Sequence, residues 1–198
     1  MRAASDNLVP VTLELGGKSP VLVSRSADLA TVVQRVMTVK TFNAGQICLA
    51  PDYVLLPKEC LEDFVAEAVR FVGAMYPSLH SNPDYTSIIN PRNFDRLQGY
   101  LADARAKGAR LIEINPAQED LGDRQTRKIA PTLVLDATEQ MQVLREEIFG
   151  PLLPIKTYRD FATAIDYVNG QPRPLAAYYF GEDAGERVLE HEARRGGD

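Results

Sequence analysis

Apolar positions recur along this chain in two rhythms, one near a period of two in short runs and one near 3.6 in longer runs. Residues 11–15 (VTLEL) and 20–24 (PVLVS) carry the short rhythm, split by Gly16-Gly17-Lys18. Residues 52–56, 109–114, 131–136, 151–158 and 175–180 carry it too, and all seven runs predict strands. The long rhythm predicts a helix over 28–41, where Leu29, Val32, Val33, Val36 and Met37 share a face. A second covers 58–75, with Leu61, Phe64, Val65, Ala68, Phe71, Val72 and Met75 on a broad apolar side. A third opens at Asn90-Pro91, an N-cap followed by proline in the first turn, and runs to about Lys107 before Gly108 closes it. Shorter helices follow at 161–169 and 183–192. Residues 76–90, rich in Pro, Ser, Asn and Asp, form a loop, and 115–128 form a polar connection, either a hairpin or an exposed loop.

Strands that alternate with helices imply an α/β fold with a mostly parallel sheet flanked by helices. In such sheets ligands gather outside the carboxyl ends of the strands. Glu14 and Lys18 flank the end of the first predicted strand, and Cys48 lies between a helix and a strand. The expectation is that Glu14 and Cys48 converge on one cleft at the carboxyl edge.

The 198 residues fit one domain or one large lobe, and 45% hydrophobic content supplies a core. A net charge of −5 argues against a nucleic-acid partner, which requires a basic stripe. No apolar run approaches the ~18 residues of a membrane span, and the N-terminus lacks a basic region followed by a long apolar stretch. Two cysteines, Cys48 and Cys60, do not make a disulfide framework, so the expected setting is reducing and cytoplasmic. His80 and His191 lie far apart and no metal-ligand spacing occurs, so no metal is expected.

FNAGQIC, residues 42–48, stands at the end of a predicted helix. Its cysteine either fills space, as most unpaired cysteines do, or is presented to a ligand where Asn43-Ala44-Gly45-Gln46 break the helix. Cys60, in the first turn of an amphipathic helix, reads as structural.

LELGGKSP (13–20), FNAGQICLAPDYVL (42–55) and EEIFGP (146–151), in this order, resemble the aldehyde dehydrogenase superfamily. The likeness extends through KIAPTLVLDATEQMQVLREEIFGPLLPI. APDYVL and YTSIIN (85–90) look most like the branch that contains coniferyl aldehyde dehydrogenases and the class 3 enzymes. The resemblance implies oxidation of an aldehyde, aromatic and coniferyl-like or long-chain, to its carboxylic acid with NAD or NADP as hydride acceptor. Cys48 matches the family's nucleophile. A thiolate suits the task because it attacks well and later leaves from a thioester. The Cys48 N–H matches a donor to the alkoxide oxygen. Glu14 matches the base that activates water against the thioester. The backbone around Leu15 and Gly16 matches the wall against the nicotinamide, and the missing side chains at Gly16-Gly17 permit close approach. Glu147 matches the clamp on the nicotinamide ribose, since a carboxylate can accept from two vicinal hydroxyls. Phe149 matches the residue beside the ring. The family likeness further implies a homo-oligomeric parent and a small-molecule aldehyde as partner.

The chain departs from the family pattern in length. No glycine-rich dinucleotide turn follows a strand, no residue matches the family's upstream oxyanion asparagine, and the PFGG-type motif is missing. Residues 1–198 therefore read as a catalytic domain, partial at both ends, with the dinucleotide-binding domain largely absent. By itself such a piece is expected to bind NAD(P) weakly and to be inactive. The competing readings are a cysteine acyl-transfer enzyme without redox chemistry and a non-catalytic α/β fragment.

Overall fold

The computed structural model describes residues 1–13 and 16–187. Its strands are β1 (Pro20–Val23), β2 (Tyr53–Pro57), β3 (Arg110–Glu113), β4 (Thr132–Leu135), β5 (Leu152–Tyr158) and β6 (Tyr178–Phe180). Its helices are α1 (Arg2–Ser5), α2 (Leu29–Thr41), α3 (Leu61–Met75), α4 (Pro91–Ala106), α5 (Gln142–Arg145) and α6 (Phe161–Asn169). The strands join in one sheet of order β3-β4-β5-β2-β1-β6. Every pairing is parallel except β3 with β4, which is antiparallel. The expected α/β architecture is thus present.

The central strands are apolar on both faces because both faces are covered. Val21 and Val23 of β1, Val54 and Leu56 of β2, and Leu153 and Ile155 of β5 pack with α2 and α3. Leu22, Leu55 and Leu152, the alternate positions, pack with α4, α5 and α6. The helices start where the sequence provides caps. The Asp28 carboxylate accepts from the Thr31 N–H at 3.1 Å, and the Asn90 side-chain oxygen accepts from the Asn93 N–H at 2.9 Å. Pro91 occupies the first turn of α4, and Gly108 ends it with φ +89°.

Several boundaries differ from the expectation. Residues 11–13 form no strand, and Val11 and Leu13 are about half exposed (47% and 48%). An alternating run needs a partner strand, and none pairs with residues 11–13 among the described residues. The last strand begins at Tyr178 rather than at 175, because Pro172 and Pro174 hold the preceding chain out of the ladder. Residues 184–187 are helical, and the rest of the predicted 183–192 helix lies outside the described residues. The 115–128 connection is a loop with no strand of its own. It is tied to the 76–90 loop, where the Glu119 carboxylate accepts from the N–H groups of Leu79 (2.5 Å) and His80 (3.0 Å). These two donors hold the Glu119 carboxyl below its ordinary pKa. Lys128 donates to the carbonyls of Leu79 and Asn82 at 2.8 and 2.6 Å.

The largest correction concerns the sheet edge. Gly16–Ser19 lead into β1, Cys48–Asp52 lead into β2, and Glu146–Pro151 lead into β5. These three strands are parallel, so the motifs gather at the amino ends of the strands and not at the carboxyl edge. The carboxyl-edge expectation rests on a first strand at 11–15; residues 11–13 are not part of the sheet, and Gly16-Gly17 lead into β1.

Candidate active site

The first motif passes against the third. Gly16 has φ +74°, and a methyl group there would stand 2.3 Å from Oε2 of Glu147. The left-handed backbone favours glycine at Gly16, and a side chain there would displace the Glu147 carboxylate from its place beside Gly17. The next amide, Gly17 N–H, donates to Glu147 Oε2 at 3.2 Å. Glu14 and Leu15, named above as base and cofactor wall, lie outside the described residues.

The loop that carries Glu147 is braced by three side chains that do not belong to EEIFGP. Lys18 donates to Asp52, to the Val143 carbonyl at 3.0 Å and to the Glu146 carbonyl at 2.8 Å. Asp52 accepts through its other oxygen from the Ile148 N–H at 2.9 Å. Arg96, on α4, donates to the carbonyls of Glu147 (3.2 Å) and Ile148 (2.9 Å). The Lys18 and Asp52 side chains are only 13% and 5% exposed. A pair this buried depends on the extra hydrogen bonds it makes, and each partner protects the other from an unpaired buried charge. Phe149 follows with φ +46° and is 41% exposed, so it stands at the surface of the site rather than in the core.

The second motif also meets the third. After α2 the chain turns through Asn43, Ala44 and Gly45, all left-handed, with φ of 49°, 52° and 71°. Gln46 returns to φ −86°. The turn is thus made by residues 43–45, and Gln46 acts instead as a brace. Its amide donates to the carbonyls of Asn43 (3.0 Å) and Ser87 (3.2 Å), and its oxygen accepts from the Ile89 N–H at 2.9 Å. A methyl group on Gly45 would stand 2.3 Å from the Gly150 carbonyl oxygen, so this glycine lets the two loops touch.

Cys48 is exposed and sits in a turn closed by Ala50 N–H to the Ile47 carbonyl at 3.0 Å. Among the described residues its own N–H has no backbone acceptor. Tyr178 of β6 donates to the Leu49 carbonyl at 2.6 Å. Burial, and secondarily the neighbouring Cys48, push the Tyr178 phenol above its ordinary pKa. Cys60 is half-buried and precedes α3, where burial first, and then Glu59 and Asp63, raise its thiol.

Asp52 and Arg96 did not stand out in the sequence, and Gln46 stood out there as part of the helix break, not as a brace. Asp52 reads as the polar start of an apolar strand, and Arg96 as one charge on the polar side of a helix. Their work is to bond backbone groups remote in sequence, which leaves no periodic signal.

The Gly45 contact carries a stability prediction. Gly45→Ala and Gly108→Ala both impose a side chain on a left-handed residue, but nothing lies within 4 Å of the Gly108 position. Gly45→Ala is expected to cost about 1–3 kcal/mol more than Gly108→Ala, the price of overpacking. Denaturant unfolding of the two variants measures the difference, and equal losses would remove the steric account.

Residues 1–193 match the model of the aldehyde dehydrogenase family, and the chain belongs to that family. It is 77% identical to a coniferyl aldehyde dehydrogenase of a Pseudomonas species over 187 residues, which are 94% of this chain and 39% of that protein. Among solved structures, the substrate-bound state of Staphylococcus aureus AldH is 35% identical with a TM-score of 0.87, covering 96% of this chain and 40% of that one. A Mycobacterium tuberculosis aldehyde dehydrogenase complexed with NAD+ is 30% identical with a TM-score of 0.82, covering 99% of this chain and 41% of that one. The chain thus spans about two fifths of the length of the relatives it matches.

Proposed function

We propose that residues 1–198 form part of the catalytic domain of an NAD(P)-dependent aldehyde dehydrogenase that oxidises an aromatic, coniferyl-like aldehyde, or a long-chain one, to its acid. One observation carries the reading. The Glu147–Gly150 loop touches Gly16-Gly17 on one side and Gly45 on the other, so three motifs distant in sequence meet, and an exposed thiol follows Gly45 in the second of them.

The residues present fit a nicotinamide nucleotide. Glu147 uses one oxygen on Gly17 N–H and keeps lone pairs for vicinal hydroxyls. Phe149 is exposed next to it, and Gly16 offers bare backbone. NAD or NADP, when bound, accepts the hydride. The protein's own part begins with the Cys48 thiolate, which adds to the aldehyde carbon and forms a thiohemiacetal alkoxide. The Cys48 N–H donates to that oxygen. Loss of hydride leaves a thioester on Cys48. Glu14 takes a proton from water, which attacks the thioester and releases the carboxylate and the thiolate. The NAD+-bound and coniferyl relatives support the cofactor and substrate class. No described helix is long and apolar enough to cross a membrane, and a cytoplasmic enzyme fits the reduced cysteines.

The test is absorbance at the reduced-nicotinamide band with coniferyl aldehyde and NAD or NADP, using a full-length protein that carries this chain. Aldehyde-dependent reduction of the cofactor is expected. Thioester hydrolysis without nicotinamide reduction would favour a cysteine acyl-transfer enzyme instead.

A further inference from the structure

Cys48 rides on a turn made of Ile47, Cys48, Leu49 and Ala50, closed by the Ala50 N–H on the Ile47 carbonyl at 3.0 Å. Cys48 and Leu49 take its two central positions, and both are exposed. Packing therefore does little to fix them, and the turn depends on its backbone bonds. The N–H groups of Cys48 and Leu49 have no acceptor among the described residues, which leaves the Cys48 N–H free for a substrate oxygen.

Both ends of the segment are tied down. Upstream, Gln46 donates to the Ser87 carbonyl at 3.2 Å and accepts from the Ile89 N–H at 2.9 Å. Downstream, the Asp52 N–H donates to the Ser19 carbonyl at 2.8 Å. Between these ties, the peptide group that joins Leu49 to Ala50 is held at both of its polar ends. Its N–H closes the turn. Its carbonyl points the opposite way, as a trans peptide requires, and accepts from the Tyr178 hydroxyl at 2.6 Å. Tyr178 lies on β6 opposite Val21 of β1 and packs against the core between the sheet and α2. A ring fixed on a strand is a stiff spacer with one polar group at its tip. Burial, and then Cys48, hold the phenol above its ordinary pKa, so the hydroxyl keeps its proton at neutral pH.

We propose that Tyr178 is a positioning residue for the reaction: by holding the Leu49 carbonyl, its hydroxyl locks the peptide that closes the Cys48 turn, and so fixes where the thiol and the Cys48 N–H stand against the aldehyde. The inference rests on the reading of Cys48 as the nucleophile. Tyr178 touches neither aldehyde nor cofactor in this account and acts through the Leu49–Ala50 backbone.

Without the hydroxyl, that peptide is held on one side alone. Rotating it breaks the Ala50 bond and releases the turn while the flanking strands stay in register. The groups around Glu147 should not feel the loss, because its carboxylate and carbonyl bond to Gly17 and Arg96 and not to β6.

The experiment uses a full-length protein that carries this chain, with Y178F beside wild type and Y179F as the control. Y178F keeps the ring and loses the donor. Tyr179 is the next residue of β6, and its hydroxyl serves the Asp183 carbonyl at 3.4 Å and the Glu186 carboxylate at 3.1 Å instead of the Cys48 turn. The measurements are calorimetric Kd for NAD+, the pre-steady-state rate of nicotinamide reduction with coniferyl aldehyde, and amide hydrogen exchange across residues 47–50. In Y178F the Ala50 amide is expected to exchange about fivefold faster, the effect of one ordinary hydrogen bond on a local opening. The first turnover should slow by about tenfold to a hundredfold, the loss that follows when a reacting group is misplaced by about 1 Å. Kd for NAD+ and KM for aldehyde should stay within about twofold of wild type, since ground-state binding is untouched. Y179F should match wild type in first-turnover rate and in exchange at the turn. A Y178F first turnover as fast as wild type overturns the proposal, and so does a slowing that Y179F shares or that weaker NAD+ binding explains. A slower first turnover with unchanged exchange at Ala50 also overturns it, because the hydroxyl would then act by another route than the turn. Loss of the fold in Y178F, read by urea unfolding, would make the hydroxyl structural and has the same consequence. Wild type that reduces no nicotinamide with aldehydes removes the enzymatic reading and the positioning role together, whereas an active wild type with a normal Y178F removes the positioning role alone.

Discussion

Cys48→Ser in the full-length protein is expected to lower aldehyde-dependent NAD(P) reduction by at least about 10⁴-fold. The loss is that large because the alcohol is a poor nucleophile at neutral pH and an ester is a worse acyl carrier than a thioester for the steps that follow. The variant should fold normally. Cys48 is exposed, and exposed substitutions outside special contacts usually change stability by less than about 0.5 kcal/mol. Stopped-flow absorbance measures the chemistry, and denaturant unfolding checks the fold. The same thiol should be the first to react with iodoacetamide, since Cys60 is half-buried and its thiol is raised by burial and by the adjacent acids. Peptide mapping after partial labelling decides the order. Preferential modification of Cys60, or a serine variant with substantial turnover, would take the nucleophile's role away from Cys48.

Glu14→Gln should act later in the cycle. Attack by the thiolate and departure of hydride precede the water step, so a first turnover of reduced cofactor is expected at nearly the normal rate. Steady-state turnover should then fall by about 10²–10⁴-fold, the usual contribution of a positioned general base. The measurement is a pre-steady-state burst followed by a slow phase, with acyl-enzyme trapped by acid and seen by mass spectrometry. Disappearance of the burst along with the steady state would place Glu14 at the activation of Cys48 instead. The brace around Glu147 is a separate matter, because its members hold backbone groups and are expected to move cofactor affinity more than the chemical step.

How much of this could be read from the chain before folding varies from residue to residue. The helices α2, α3, α4 and α6 follow from apolar periodicity and from caps at Asp28, Asn90 and Asp160, which are local properties. The central strands follow from apolar runs that only a sheet covered on both faces would tolerate. Residues 11–13 show the limit of that signal: VTL alternates like the start of a strand, but a strand needs a neighbour, and alternation does not report whether one exists. The turn at Asn43–Gly45 was legible as a helix break, but not its form. Asn43 and Ala44 accept left-handed geometry at some cost, and the Gly150 carbonyl that makes Gly45 necessary lies about a hundred positions away.

The sequence by itself determined the family, the alternation of strands and helices, and the residue types able to do thiol and carboxylate chemistry, because these rest on short-range order and on composition. The tertiary structure decided where the chemistry gathers. It put the three motifs at the amino ends of β1, β2 and β5, paired Gly17 with Glu147 and Gly45 with Gly150, and buried Lys18 against Asp52. The physical reason is that a buried charge or a bare glycine is defined by what stands against it. In a parallel sheet those neighbours come from crossover connections, so the groups that complete each other are the ones farthest apart along the chain.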